Sequence, residues 1–110
     1  MTNQNIKEIK KLNDLLRTTF LTGKVVLTEG FRDLEDKTKE ELITKIREFK
    51  EFHANNDPYG EHDFGSVEHD EIKVYWKIDY YDRNFKYLSP NPADSKLTCR
   101  VLTIMLAEEY

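Results

Sequence analysis

Apolar residues recur along this chain with two different periods, and those periods predict its elements. Ile6, Ile9, Leu12, Leu16 and Phe20 follow one another at three- and four-residue steps, with Lys7, Glu8, Lys10 and Lys11 between them. That spacing predicts an amphipathic helix ending before Gly23. Residues 24–28, Lys-Val-Val-Leu-Thr, are rich in β-branched side chains and predict a short strand between Gly23 and Gly30. Residues 30–36 read as loop. Thr38 and Glu41 have the spacing of a capping box at the start of a second helix. Leu42, Ile46, Phe49 and then Phe52 or His53 would form its apolar face. Asp57-Pro58-Tyr59-Gly60 reads as a type I turn, with proline presetting the second position.

The strictest alternation follows. Ile72, Val74, Trp76, Ile78 and Tyr80 alternate with Lys73, Tyr75, Lys77, Asp79 and Tyr81. A period of two places the first set on one face of a strand and the second set on the other. Residues 63–68 and 73–81 then form a hairpin joined by a four-residue loop over 69–72. The register that keeps the faces separate pairs Glu68 with Lys73, Val67 with Val74, Ser66 with Tyr75, Gly65 with Trp76, Phe64 with Lys77 and His62 with Asp79. A slip of one residue would oppose Val67 to Lys73 and mix the faces. Beyond a turn at 82–84, residues 85–88 read as a further short strand, and Ser89-Pro-Asn-Pro as a stiff connector. Asn91, Pro92 and Asp94 make a helix start. Leu97, Val101, Ile104, Met105 and Glu108 continue at helical steps, widened by Leu102 and Leu106, and predict a largely buried final helix. A strand over 100–106 competes with it, because Val, Thr and Ile also suit sheets. The expected fold is α+β: one domain over 1–110, with a small, mainly antiparallel sheet of a hairpin plus one or two short strands, packed by three helices.

Charge changes this picture in one place. The 110-residue chain has a net charge of −4. Residues 51–72 contain seven carboxylates and no Lys or Arg, so the acidity is concentrated there. Such a patch repels phosphate backbones and attracts basic partners. The only cysteine, Cys99, sits in an apolar stretch and reads as a small buried hydrophobe. The absence of a signal-peptide pattern and of a long apolar run leads to the expectation of a cytoplasmic protein without membrane attachment.

Five chemistries compete with plain structural roles for these residues. Glu61-His62-Asp63 and His69-Asp70-Glu71 supply oxygen and imidazole ligands of the kind that suit Mg²⁺ or Mn²⁺. In the register above, His62 lies beside Asp79, so His62 and Asp79 are the candidate metal ligands, and His62, Asp63 and Asp79 the first catalytic candidates. Neighbouring residues of a strand point to opposite faces, however, so His62 and Asp63 share a site only at a bulge. A His62–Asp79 pair pinning the hairpin is the simpler expectation. No nucleophile–base arrangement or phosphate-cradling glycine loop is visible, so the pattern favours interaction over catalysis, with no cofactor expected. Lys73, Lys77, Arg83 and Lys86 interleave with aromatic residues as in single-strand binders, but Asp79 and Asp82 dilute that charge. Protein docking uses both unusual features of the chain. Phe64, Tyr75 and Tyr81 would face outward, with Tyr59 on the preceding turn and Glu61, Glu68, Asp70 and Glu71 as an acidic rim. Aromatic anchors within a charged rim suit an interface with a basic protein partner.

The stretches LNDLLRTTF, GKVVLTEG, NDPYGEHDFG, WKIDYYD, SPNPAD and RVLTIMLAEEY, taken in order, resemble the family called domain of unknown function 3768, from about Lys11 to Tyr110. The resemblance implies a bacterial protein of plasmids and integrative elements, often placed among anti-restriction genes. It carries no assigned catalytic residues. That setting suggests an accessory factor that blocks a host defence protein, such as a CRISPR effector, by occupying a basic groove.

Overall fold

The computed structural model describes residues 3–110, with side chains from residue 5 onward. Helix α1 spans Asn3–Thr19, strand β1 Lys24–Leu27, the single-turn helix α2 Glu29–Arg32 and helix α3 Asp36–Arg47. Strands β2 (Phe64–His69), β3 (Ile72–Tyr81) and β4 (Cys99–Leu106) follow, and a 3₁₀ turn closes the chain at Ala107–Glu109. The four strands form one sheet in the order β1-β4-β3-β2. The fold is α+β, as the periodicities predict.

The sheet is mixed, because β1 runs parallel to β4 with Lys24 opposite Val101 and Leu27 opposite Ile104. Both β2–β3 and β3–β4 are antiparallel. The hairpin adopts the expected register from Glu68–Lys73 to Phe64–Lys77. Its connection is tighter than expected, since His69 and Ile72 also pair and leave only Asp70 and Glu71 in the turn. Both turn residues have positive φ, 50° and 65°. That is the type I′ geometry, whose twist matches the flanking strands.

One face of the sheet carries the core. Val74, Trp76, Ile78, Leu102 and Ile104 cluster with Leu16 of α1, Phe31 of α2, and Leu42 and Ile46 of α3. Gly65 lies opposite Trp76. A Cβ at that position would stand 2.7 Å from the Trp76 Nε1, so the indole depends on the missing side chain for its place. Helix α3 ends at Arg47, and Phe49 and Phe52 fold back over the indole from coil rather than from a longer helix. Their rings meet edge to face at 4.9 Å and lie 5.6 and 6.1 Å from Trp76.

Four further expectations are corrected. The final helix is instead β4, the competing assignment. This strand lies between β1 and β3 and has buried side chains on both faces, Leu102 and Ile104 under the helices and Val101 and Met105 among their sheet neighbours, so its near-continuous apolar run satisfies either period. The Asn91 start forms turns only. Asn91 Oδ1 accepts from the Ala93 N–H, Asp94 Oδ1 from the Lys96 N–H, and the Asn91 carbonyl accepts the Thr98 hydroxyl at 2.9 Å. The strand over 85–88 reduces to one bridge between Tyr81 and Leu88, around a loop in which Asp82 Oδ1 accepts the N–H groups of Asn84 and Lys86. Finally, α3 starts before Thr38, with Glu35 as N-cap and no side-chain cap. Thr38 is thereby inside the helix and cannot cap it.

Candidate functional site

The alternation of β3 sends its two sets of side chains into different worlds. Trp76 is fully buried beneath the helices, whereas Tyr75 and Tyr81 are half-buried on the opposite face. Tyr75 forms a triangle with Phe64 of β2 and the terminal Tyr110, with ring centroids 5.3, 5.7 and 5.3 Å apart. Lys73 Nζ stands 5.4 Å from the Tyr75 ring centre. Met105 of β4 lies opposite Tyr75 and Cys99 opposite Tyr81. Between the two tyrosines, Lys77 and Asp79 pair at 3.1 Å. Tyr81 has Phe85 as its neighbour at 6.2 Å. Two aromatic groups thus flank one ion pair on a face to which the apolar core residues of the helices do not contribute.

Carboxylates gather at one end of this surface. Glu68, on the same face as Phe64 and opposite Lys73, is exposed, and so are Asp70 and Glu71 in the turn. Glu71 and Glu108 line one shallow depression with Lys73. The structure does not bring Tyr59 and Glu61 to this group. Tyr59 is 76% exposed, on a turn that abuts Ile6 of α1 through Gly60. Glu61 Oε1 accepts the Tyr80 hydroxyl at 2.8 Å on the helix side.

The first catalytic candidates, His62, Asp63 and Asp79, do not form one site, because His62 turns to Asp14 and Asp79 to Lys77. His62 precedes β2 with φ 57°, which swings it off the strand path toward α1. Its Nδ1 lies 2.8 Å from Asp14 Oδ1, and its Nε2 3.8 Å from Asp57 Oδ2. Its ring stacks flat on Phe52 at 3.7 Å. Asp79, in contrast, is held by Lys77 on the open face, so the expected His62–Asp79 pair does not form. Asp63 keeps the hairpin going through its backbone, its carbonyl accepting the Ile78 N–H at 2.8 Å. Burial, reinforced by Glu61, Asp57 and Asp79, holds the Asp63 carboxyl above its ordinary range. Among the described residues, no group of three His, Cys, Asp or Glu side chains is placed to hold a metal ion.

A polar network missed by the periodicity lies on the helix side. Asn13, fully buried in α1, donates from Nδ2 to the Tyr80 hydroxyl (2.7 Å) and to the Glu61 carbonyl (3.0 Å), and accepts from Arg100 Nε at 2.8 Å. Arg100 also donates to the Pro92 carbonyl, and its guanidinium lies 5.2 Å from the Tyr80 ring centre. Burial and the bond to Glu61 push the Tyr80 phenol far above its ordinary range. Nearby, buried Arg17 donates to the Ile46 and Arg47 carbonyls and to Asp14. These groups fasten α1 to α3, to the loop before β2 and to β4. Arg17 Nε is left without a hydrogen-bond partner, and Arg17 lines a cavity of about 280 Å³ with Asp14, Phe52 and His62, so the helix side keeps one opening besides the free face of the sheet. The signal for Asn13 was in the sequence: it stands four residues after Ile9 and three before Leu16, inside the apolar stripe.

The fold and its free face define a small α+β domain with one sheet surface open. A family model described as "Protein of unknown function (DUF3768)" matches residues 27–109, and the chain belongs to that family. The matched segment begins within β1 and leaves the α1 stretch outside. No curated protein and no solved structure matches the chain.

Proposed function

We propose that this chain is a protein-docking module whose open sheet face receives a basic partner. The observation that supports it is the half-exposed triangle of Phe64, Tyr75 and Tyr110, bordered by Glu68 and the turn carboxylates, on the side of the sheet opposite buried Trp76. Aromatic rings supply contact area at low cost in side-chain entropy, and the carboxylates steer a cationic surface toward them. Phosphate-backbone binding is disfavoured on the same face, because Glu68 opposes Lys73 and Asp79 engages Lys77.

In the setting that the family resemblance suggests, the partner is a host defence protein with a basic nucleic-acid groove, and the chain is a cytoplasmic, mobile-element accessory factor that inhibits it. Capture from a bacterial lysate tests the reading. Wild-type protein should retain a basic partner that is released as salt rises. Tyr75→Ala with Tyr81→Ala should lose the same partner. Capture that is indifferent to both salt and the double substitution contradicts the reading.

A further inference from the structure

We propose that the outer edge of β2 is a strand-addition site for an extended segment of a basic protein, one that places Lys or Arg beside Glu68 and an apolar side chain beside Phe64. β2 is an edge strand in the sheet order. In an antiparallel ladder, hydrogen-bonded and non-hydrogen-bonded pairs alternate. The Ile78 N–H to Asp63 carbonyl bond fixes the phase: Gly65–Trp76, Val67–Val74 and His69–Ile72 are the bonded pairs. Phe64, Ser66 and Glu68 therefore turn their N–H and C=O groups away from β3.

Lys45 of α3 confirms the direction, because its ammonium reaches the Glu68 carbonyl from outside at 2.6 Å. Lysine is a common blunting device on exposed edges, and here it occupies only one of the outward carbonyls. Ser66 and Glu68 are exposed, and an incoming backbone would take the place of the Lys45 ammonium at the Glu68 carbonyl. The charge of the occupant follows from the surroundings. Glu68, Asp70 and Glu71 stand exposed at the turn end of the edge and outnumber the two cations beside them, Lys45 at the Glu68 carbonyl and Lys73 opposite Glu68. At the other end, an apolar side chain beside Phe64 would extend the Phe64–Tyr75–Tyr110 triangle. The proposal rests on the docking reading for the sign of the partner's charge and on the backbone for the surface.

The probe is the acetylated and amidated peptide Thr-Lys-Thr-Ser-Thr-Val-Thr. Docked antiparallel with its serine opposite Ser66, it sets lysine opposite Glu68 and valine opposite Phe64. Amide exchange followed by NMR should slow at Phe64, Ser66 and Glu68 when the peptide is added. N-methylation of the peptide's serine should weaken binding about tenfold or more, through lost net hydrogen bonds and the clash of the methyl group. N-methylation of a threonine next to it, whose N–H points away from β2, should cost much less. Ser66→Pro should likewise abolish binding, since proline is tolerated where an edge N–H faces solvent. The peptide series on wild-type protein decides the matter even if that variant folds poorly.

Equal binding of the two methylated peptides, or no slowing of the three amides, overturns the proposal. Slowing that rises with protein concentration in the absence of peptide also overturns it, and assigns the edge to a second copy of the chain. Tyr75→Ala with Tyr81→Ala separates the two readings. Loss of partner capture in that variant with peptide binding intact keeps both. Peptide binding that fails while partner capture still depends on the tyrosines removes the edge and leaves the open face.

Discussion

Asp63 is a carboxylate placed where burial and three neighbouring acids oppose its charge. Its folded-state pKa lies above the ordinary value of 3.8, so the native state binds its proton more tightly than the unfolded chain does. The favourable contribution of this group is therefore present below 3.8 and is lost as pH rises through the raised folded value. Asp63→Asn should raise the melting temperature at neutral pH, with the gain shrinking as pH falls below the ordinary carboxyl range. A gain that is the same at both ends of that range contradicts the assignment. At this scale the sequence was legible where side chains alternate and obscure where one residue leaves the pattern. The positions of Trp76 and Tyr75 on opposite faces followed from a period of two. The left-handed backbone of His62 did not, because a histidine carries no steric mark of a positive φ as glycine does. That single dihedral angle moved His62 from Asp79 to Asp14 and dissolved the candidate metal pair.

Among elements, the β2–β3 hairpin shows how little room the turn has. Asp70 and Glu71 both take left-handed conformations, and only the first is a residue type that visits that region readily. Glu71→Gly should raise stability by about 1 kcal/mol, read as a higher urea midpoint with unchanged slope. A lower midpoint would show that the glutamate side chain supplies more than the strain costs. The register of this hairpin was legible because one face is apolar and the other is not. β4 was not decided in the same way, because a central strand with buried side chains on both faces loses the alternation that identifies a strand. The cap residues at Asn91 and Asp94 compounded the difficulty: they serve tight turns as readily as helix starts.

Over the whole molecule, the parallel pairing of β1 with β4 joins residues more than seventy positions apart and adds one parallel pairing to a sheet that is otherwise antiparallel, as expected of a mainly antiparallel one. No local pattern encodes that pairing; it emerges once α1 and α3 need one common apolar face to cover. The polar ties of Asn13, Arg17, Tyr80 and Arg100 then close the helix side, while the other side keeps its rings half-exposed. None of the described helices is long and apolar enough to cross a membrane. The account depends on this asymmetry, and equilibrium unfolding in denaturant tests it most directly. Trp76→Ala should cost about 3–5 kcal/mol, as expected for emptying a packed aromatic site. Tyr75→Ala combined with Tyr81→Ala should cost less than that single substitution. If the tyrosine pair instead proves the more destabilising change, the rings belong to the interior and the sheet has no face to offer a partner.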